Sequence, residues 1–132
     1  MNSKLIGAFG EQVAAKYLRN NKYIILAANY RTSVGEIDII AQKKDVICFV
    51  EVKTRKEGGM FSPAEAVDFH KEENIRGSAA AYMNKLNLKN KIRYDIVEVV
   101  LGYNNEVVNI NHIENAFWGG YESIWFTLWY NN

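Results

Sequence analysis

Residues 35–55 read GEIDIIAQKKDVICFVEVKTR, and this stretch decides how the chain folds. Apolar, mainly β-branched residues fill both of its arms, which predicts two short strands at 35–41 and 46–54. The polar residues 42–45 between them are typical of a tight turn. We therefore expect an antiparallel hairpin, with the rest of a sheet formed beside it.

The charged residues of the hairpin fall on one face of each strand. Successive side chains of a strand point to opposite faces, so Glu36 shares a face with Asp38. In the second arm Glu51 shares a face with Lys53 for the same reason. The opposite faces are apolar and consist of Ile37, Ile39, Ala41, Cys48, Val50 and Val52. If both apolar faces pack on one core, the two charged faces meet as well.

Two hairpin registers keep the apolar faces together. A four-residue loop at 43–46 sets Asp38 opposite Glu51, and it sets Glu36 opposite Lys53. A two-residue loop at 43–44 sets Glu36 opposite Glu51 and leaves Asp38 one diagonal step away. In either register, carboxylates from both strands and an ammonium group meet within roughly 5 to 8 Å.

Carboxylates that lie so close repel one another, and a divalent cation converts the repulsion into coordination. Hard Mg²⁺ or Mn²⁺ takes carboxylate oxygens together with water. The alternative is a solvated sheet face with ordinary ion pairs, for example between Glu36 and Lys53. The composition of the hairpin alone leaves both interpretations open.

The spacing of the acidic residues along the chain, an Asp, twelve further residues and then Glu-Val-Lys closing an apolar strand, resembles the pattern of the PD-(D/E)xK nucleases. With GEIDIIA before it and FVEVKTR around it, the stretch more closely resembles the YraN-like family of small bacterial proteins, itself similar to archaeal Holliday junction resolvases. This resemblance implies an α/β, restriction-endonuclease-like fold, in which helices flank a central mixed sheet in three α/β/α layers. It also implies a Mg²⁺- or Mn²⁺-dependent endonuclease that hydrolyses DNA rather than RNA, including branched or junction DNA, and that forms a homodimer.

The resemblance also implies roles for single residues. Asp38 and Glu51 are expected to hold the metal together with the backbone carbonyl of Val52, and Lys53 is expected to assist the attack on phosphate. Resolvase-like relatives bring a Glu of the first helix to the metal, which implies the same for Glu11. Without the resemblance, an exposed helical side chain is the ordinary interpretation of Glu11.

Further polar residues are expected around this centre. Lys71 interrupts the apolar stripe of the second predicted helix, so it either extends to solvent or reaches the carboxylates, and the resemblance favours the carboxylates. Together with Glu36 it is a candidate supporting residue. Arg31, Arg55 and Lys56 are candidate nucleic-acid contacts, although Arg31 is equally typical of an exposed side chain.

The remaining chain predicts two helices and three further strands. The first helix, at 3–21, is expected to bury Leu5, Ile6, Phe9, Val13 and Tyr17. The second, at 62–87, starts with Ser62 as N-cap and Pro63, and is expected to bury Val67, Ile75, Ala79, Tyr82 and Leu86. Strands are expected at 23–28, 91–101 and 106–113, the last two antiparallel. Asp95 is either an acid in the outer shell of the metal site or half of an ion pair with a basic side chain such as Arg93, and the pattern favours the ion pair. His112 is not interpreted as a metal ligand.

Length and composition are those of one globular domain. The 132 residues are 48% hydrophobic and 23% charged, which predicts a nuclease-like domain at 1–117 and an aromatic tail at 118–132 that packs on it or mediates self-association. The formal charge is +1, but residues 1–60 carry ten basic and six acidic side chains, so the hairpin half is basic. A single cysteine, Cys48, and no signal-peptide or membrane-spanning pattern predict a cytoplasmic protein without a membrane partner.

Two other functions remain open beside the nuclease. The first is a non-catalytic nucleic-acid-binding or DNA-processing accessory module on the same fold. The second is an interaction protein that uses its aromatic tail and binds no nucleic acid. The complete set of motif residues favours the enzyme, but a fold and a motif alone do not establish turnover.

Overall fold

A computed structural model describes residues 2–58 and 69–117 of the chain. Within these ranges the chain forms the helices α1 (Ser3–Asn20) and α2 (Phe69–Lys85) and the strands β1 (Ile24–Arg31), β2 (Glu36–Lys43), β3 (Val46–Lys56), β4 (Lys91–Leu101) and β5 (Val107–Phe117). The expected helix start at Ser62 and Pro63, the expected core residue Val67 and the tail at 118–132 lie outside the described residues. The domain boundary therefore stays a prediction.

The five strands of the described ranges form one mixed sheet in which their order follows the sequence. β1, β2 and β3 are antiparallel neighbours, β3 and β4 are parallel, and β4 and β5 are antiparallel. A parallel pair needs a long crossover connection, and α2 lies in the connection between β3 and β4. Because α1 and α2 cover opposite faces of the sheet, three α/β/α layers result, and the predicted fold class is confirmed.

Each strand overlaps its predicted range, and β1, β2, β3 and β5 are longer than predicted. β4 has its predicted bounds, 91–101. β1 continues beyond residue 28 to Arg31, through Asn29 in a left-handed conformation with φ 51°. β5 continues beyond residue 113 to Phe117, whose ring stacks on Tyr94 of β4 with 5.0 Å between centroids. The added residues of β5 thus bury an aromatic side chain that the pattern alone assigned to no element.

The hairpin of β2 and β3 is apolar on both faces between its polar turn and its acidic end. Ile40, Ile47 and Phe49 lie on the face that the sequence assigned to the charges, and all three are buried under α2. The expectation of one apolar and one charged face is therefore wrong for the turn end, because helices on both sides of a sheet bury both faces.

Ile37 is a second exception to the alternating pattern of β2. It packs with the core under α2, whereas Ile39 packs with the core under α1, although the sequence assigned both to one face. The change of side occurs at Asp38, where β2 stops pairing with β3. The charged end of the hairpin is thus also the end at which the two strands separate.

α1 approaches the sheet through small residues. Its buried positions are Gly10, Ala14 and Leu18, whereas Leu5 of the expected stripe is 54% exposed. The other four expected residues pack half-buried against the same core, and they are Ile6, Phe9, Val13 and Tyr17. The deepest positions lie one residue further along, where small side chains let the helix approach the sheet closely. Thr54 of β3 occupies the space that a Cβ atom on Gly10 would need.

α2 buries Ile75, Ala79 and Tyr82 as predicted. Leu86 was also expected in this core, but it follows the last helical residue and is exposed. Neither α1 nor α2, the helices of the described ranges, has an apolar stretch that could cross a bilayer.

Because α1 lies close to β3 at Gly10 but not at Gly7, substitution by alanine is expected to change the free energy of unfolding in opposite directions at these two positions. Gly10→Ala is expected to lower the free energy of unfolding by about 1 to 3 kcal/mol, because the added methyl group collides with Thr54. Gly7→Ala is the matched control, since nothing lies within 4 Å of its added Cβ. It is expected to raise the free energy of unfolding by about 0.5 to 1 kcal/mol through helix propensity. Urea unfolding measures both, and equal effects of the two substitutions would contradict the packing described.

Candidate metal centre

The register of the hairpin brings the two acidic motif residues to one level. The ladder between β2 and β3 ends at the pair Ile39 and Val50, and the next pair in the same register is Asp38 with Glu51. This is the register predicted for the four-residue loop. Pairing nevertheless continues to residues 43 and 46, so the turn itself consists of only the two residues 44–45.

Beyond the end of the ladder, the side chain of Asp38 takes the place of a backbone partner. Its Oδ2 accepts a hydrogen bond from the backbone N–H of Val52 at 2.8 Å. The bond fixes the Asp38 carboxyl against β3, one residue from Glu51. Metal binding by the backbone carbonyl of Val52 stays a prediction.

The Asp38 carboxyl is destabilised in its charged form. Burial raises its pKa from the ordinary 3.8 to about 7, and the charges of Glu51 and Glu11 and a hydrogen bond with the Glu51 carboxyl act in the same direction. The bond from Val52 opposes the shift. At neutral pH, this carboxyl therefore holds a proton for a substantial part of the time unless a cation takes the proton's place.

Glu51 is buried beside two lysine ammonium groups. Its side chain is 6% exposed, and its Oε1 accepts a hydrogen bond from Lys71 Nζ at 2.9 Å. Lys53 Nζ lies 3.4 Å from the same oxygen. Burial lowers the pKa of Lys53, and the neighbouring Lys71 lowers it further. The sequence left two positions open for the Lys71 ammonium group, in solvent or at the carboxylates. In the structure it contacts the Glu51 carboxylate.

Glu11 approaches Asp38 from α1, on the other face of the sheet. With its amide nitrogen turned toward the carboxylates, Asn29 donates to Glu11 Oε2 at 3.0 Å and to Glu36 Oε1 at 3.3 Å. Burial raises the pKa of Glu11, while the bond from Asn29 lowers it. The carboxylates of Glu11 and Glu36 thus meet at one amide.

Sequence reasoning missed the role of Asn29, which it used only as an end signal for a strand. The residue stands inside β1 with φ 51°, a conformation that Asn tolerates far better than most residues do. An Asn within an otherwise apolar strand is the signal that could have pointed to it. Its backbone conformation turns the amide toward the acids instead of leaving it on the sheet surface.

Two cavities of about 220 Å³ each share Asp38 as a wall. The first lies toward α2, and its polar lining includes Glu36, Glu51 and Lys71; we call it the acidic cleft. The second lies toward α1, and its polar lining includes Glu11 and Asn29. Asp38 is therefore the point at which acids from both faces of the sheet converge.

The donor chemistry of this centre fits Mg²⁺ or Mn²⁺. Asp38 and Glu51 offer carboxylate oxygens, which these hard cations prefer, and Mg²⁺ is commonly held by one or two carboxylates, with water and substrate phosphate as its other ligands. Within 2–58 and 69–117, no three His, Cys, Asp or Glu side chains form a complete metal cluster by themselves. The residues thus fit a cation that brings its own water, rather than one enclosed by protein ligands.

The predicted nucleic-acid contacts have different surroundings. Arg31 is 81% exposed and lies 3.5 Å from Glu36 at the rim of the acidic cleft. Arg55 Nε donates to the buried Glu98 of β4 at 2.6 Å, so it compensates a charge inside the sheet. Lys56 contacts the side chain of Asn105. Arg31 and Lys56 are exposed whereas Arg55 is half-buried, and phosphate contacts by all three stay predictions.

Asp95 belongs to a separate, fully compensated cluster. It forms the predicted ion pair with Arg93, at 2.8 Å between Nη2 and Oδ2, and also contacts His112 Nε2 at 2.7 Å. Although burial acts to raise it, hydrogen bonds from His112 and Arg93 lower the pKa of Asp95 below its ordinary value. The cluster is structural, in contrast to the centre around Asp38.

Comparison with known proteins places this chain among a widespread set of relatives. The model of the family described as Uncharacterised protein family UPF0102 matches residues 10–99, which include all the candidate metal ligands. A UPF0102 protein of Clostridium botulinum (strain 657 / Type Ba4) is 46% identical over 117 residues, covering 87% of this chain and 95% of the relative. A UPF0102 protein of Alkaliphilus oremlandii (strain OhILAs) is 48% identical over 124 residues, covering 89% and 100%. One of Dictyoglomus turgidum (strain DSM 6724 / Z-1310) is 42% identical over 118 residues, with the same coverage.

The raised pKa of Asp38 predicts a stabilising substitution. The carboxyl loses its proton near pH 3.8 in the unfolded chain but near pH 7 in the folded one, so the stability it contributes is complete below about pH 4 and is lost as the pH rises through 7. Asp38→Asn keeps an acceptor for Val52 and carries no charge. In metal-free buffer at about pH 8 it is expected to raise the free energy of unfolding by roughly 2 kcal/mol, with little effect near pH 4.

Asp95→Asn serves as the matched control in the same urea titrations. Because the pKa of Asp95 is lowered, its ionised form stabilises the fold above the unfolded pKa. The substitution is expected to cost roughly 3 kcal/mol at about pH 8. A loss of stability in Asp38→Asn comparable to that in Asp95→Asn would show that Asp38 is compensated like any other buried acid.

Proposed function

This chain belongs to uncharacterised protein family UPF0102, and from its acidic cleft we propose that it is a divalent-cation-dependent endonuclease that hydrolyses phosphodiester bonds in DNA. The family is that of the YraN-like proteins, so the resemblance found in the sequence is confirmed. The proposed substrates include branched or junction DNA. The observation that carries the proposal is the pairing of Asp38 with Glu51 at one cleft, with two lysine ammonium groups on Glu51.

A purely structural sheet gains nothing from this pairing. A half-buried carboxyl beside a buried one raises the free energy of the folded chain, and the raised pKa of Asp38 expresses that cost. Perturbed carboxyls in a cleft are more frequent at functional sites than elsewhere. The order Asp, twelve residues, Glu-x-Lys gives these residues the same arrangement along the chain as in PD-(D/E)xK nucleases.

The reaction is the attack of a water oxygen on phosphorus, with cleavage of the bond between phosphorus and the leaving sugar oxygen. Asp38 and Glu51 would hold a Mg²⁺ or Mn²⁺ ion, which supplies Lewis acidity to the phosphate and lowers the pKa of water. Lys53, 3.4 Å from Glu51, orients the attacking water and offsets the negative charge that develops on the phosphate oxygens. Glu11, held by Asn29, adds a further carboxylate beside Asp38.

The charge distribution supports a polyanionic substrate. Residues 1–60, which contain the hairpin, carry ten basic and six acidic side chains, whereas the whole chain has a formal charge of only +1. Arg31 stands exposed at the rim of the acidic cleft. A cation bound to the acids would make this surface still more attractive to phosphate.

A second candidate, a module that binds nucleic acid without cutting it, is favoured by one specific observation. Lys71 and Lys53 already neutralise Glu51 within the protein, and the described residues do not include a complete protein metal cluster. Such a module would bind DNA with a strong salt dependence and produce no fragments. Mobility shifts at several salt concentrations, run beside cleavage assays, distinguish the two functions.

Three substitutions in the centre are expected to abolish cleavage while leaving the fold intact. Asp38→Ala, Glu51→Ala and Lys53→Ala should each lower the Mg²⁺- or Mn²⁺-dependent rate by roughly 10²- to 10³-fold, because each removes one preorganised group. Gel assays on linear, nicked and four-way DNA measure the rates. Asp45→Asn is the matched control, since Asp45 is an exposed carboxylate at the turn of the same hairpin.

Cleavage that persists at the wild-type rate in all three variants would remove these residues from the reaction and point to a contaminating nuclease. Salt-dependent binding by the wild type, with no products on any substrate in either metal, would establish the binding module instead. Circular dichroism and thermal unfolding of each variant separate a lost group from a lost fold.

A further inference from the structure

Two ammonium groups converge on a single oxygen of Glu51. Lys71 Nζ lies 2.9 Å from Oε1 and Lys53 Nζ lies 3.4 Å from the same atom. A carboxylate as deeply buried as this one needs a positive partner close by, or its charged form is strongly destabilised. The two lysines are the positive partners that lie against the Glu51 carboxylate.

The same carboxylate is one of the two that would hold a divalent cation. An ammonium group in contact with a carboxylate oxygen and a doubly charged ion on that carboxylate would repel each other across a few ångströms of partly desolvated space. Binding of the cation therefore favours removal of at least one ammonium group from Oε1.

Lys71 is the lysine with more freedom to move away from the carboxylate. Its side chain is 46% exposed, whereas that of Lys53 is 23% exposed and rises from β3 only two residues from Glu51. Lys71 projects from α2 across the acidic cleft, and its flexible stem can carry the ammonium group into water. Lys53 has less freedom to withdraw because its own strand holds it beside the acid.

We propose that Lys71 is a displaceable counter-ion of Glu51, which occupies the carboxylate in the cation-free protein and is expelled when a divalent cation binds. This inference rests on the cation site of the proposed function. It adds that the ion pair between Lys71 and Glu51 sets the affinity of that site for the cation. The lysine keeps the empty centre folded and charge-balanced, and it weakens cation binding by the work needed to break its ion pair. Its positive charge then remains at the cleft, where a phosphate would enter.

Removal of the Lys71 charge should tighten cation binding. Titration of the full chain with Mn²⁺ alone, followed by the loss of the free-ion electron paramagnetic resonance signal, is expected to show about 10-fold higher affinity in Lys71→Met than in the wild type. Lys85→Met, an exposed lysine at the end of the same helix, is the matched control for net charge and should change the affinity less than about 2-fold.

The possible outcomes separate this inference from the proposed function. Unchanged or weaker Mn²⁺ binding in Lys71→Met, beside clear binding by the wild type, overturns the counter-ion role and leaves the metal centre standing. Absence of binding in both proteins overturns the metal centre as well. Binding by Lys71→Met alone supports the counter-ion role most strongly.

A measurement on the wild-type protein tests the displacement without depending on how well the variant folds. Acylation of lysine amines, mapped by mass spectrometry of the peptides, should become several-fold faster at Lys71 when Mn²⁺ is added, because the amine is released from Glu51. The rate at Lys85 should stay the same. A Lys71 rate that is independent of Mn²⁺, at concentrations that saturate the site, contradicts displacement.

Discussion

The fold places two carboxyl groups side by side at the end of a hairpin, and this constraint governs the rest of the structure. At the turn end, both faces of β2 and β3 are apolar and lie under α1 and α2. At the other end, the ladder stops, Asp38 bonds to the backbone of Val52, and Glu51 lies in the next position of the same register. The sheet is stabilised by its apolar end and carries an electrostatic cost at its acidic end.

The other buried acids of the described ranges show that this cost is specific to the Asp38 centre. Glu98 is bonded by Arg55, and Asp95 by Arg93 and further donors. The pKa of Asp95 is accordingly lowered, whereas burial and neighbouring acids raise that of Asp38. The chain can compensate a buried carboxylate, whereas at Asp38 the hydrogen bond from the Val52 N–H does not offset burial and the neighbouring acids. The proposed cation would supply the missing compensation.

Local patterning predicted the parts of the fold that depend on neighbours in the sequence. Strand alternation and the turn fixed the hairpin and its two possible registers, and one of these brings Asp38 level with Glu51. The apolar periodicity of α1 located the helix, although its most deeply buried positions lie one residue beyond the predicted stripe. The ion pair of Arg93 with Asp95 also followed from side-chain alternation, since residues two apart in a strand share a face.

Features that depend on distant contacts could not be obtained in this way. The pattern could not show that α2 buries Phe49 on the supposedly charged face, because the crossover that brings the helix there is a property of the whole sheet. The choice for Lys71 between solvent and Glu51 depended on the same crossover. The bridge of Asn29 between Glu11 and Glu36 requires a left-handed residue inside a strand, which propensities do not anticipate.

The most direct test of the account is anomalous diffraction from crystals of the full chain soaked in Mn²⁺. The account predicts one or two anomalous peaks at the acidic cleft, within coordination distance of carboxylate oxygens of both Asp38 and Glu51. Mn²⁺ bound only elsewhere, or an acidic cleft that stays free of it at saturating concentration while Lys71 remains on Glu51, would contradict it.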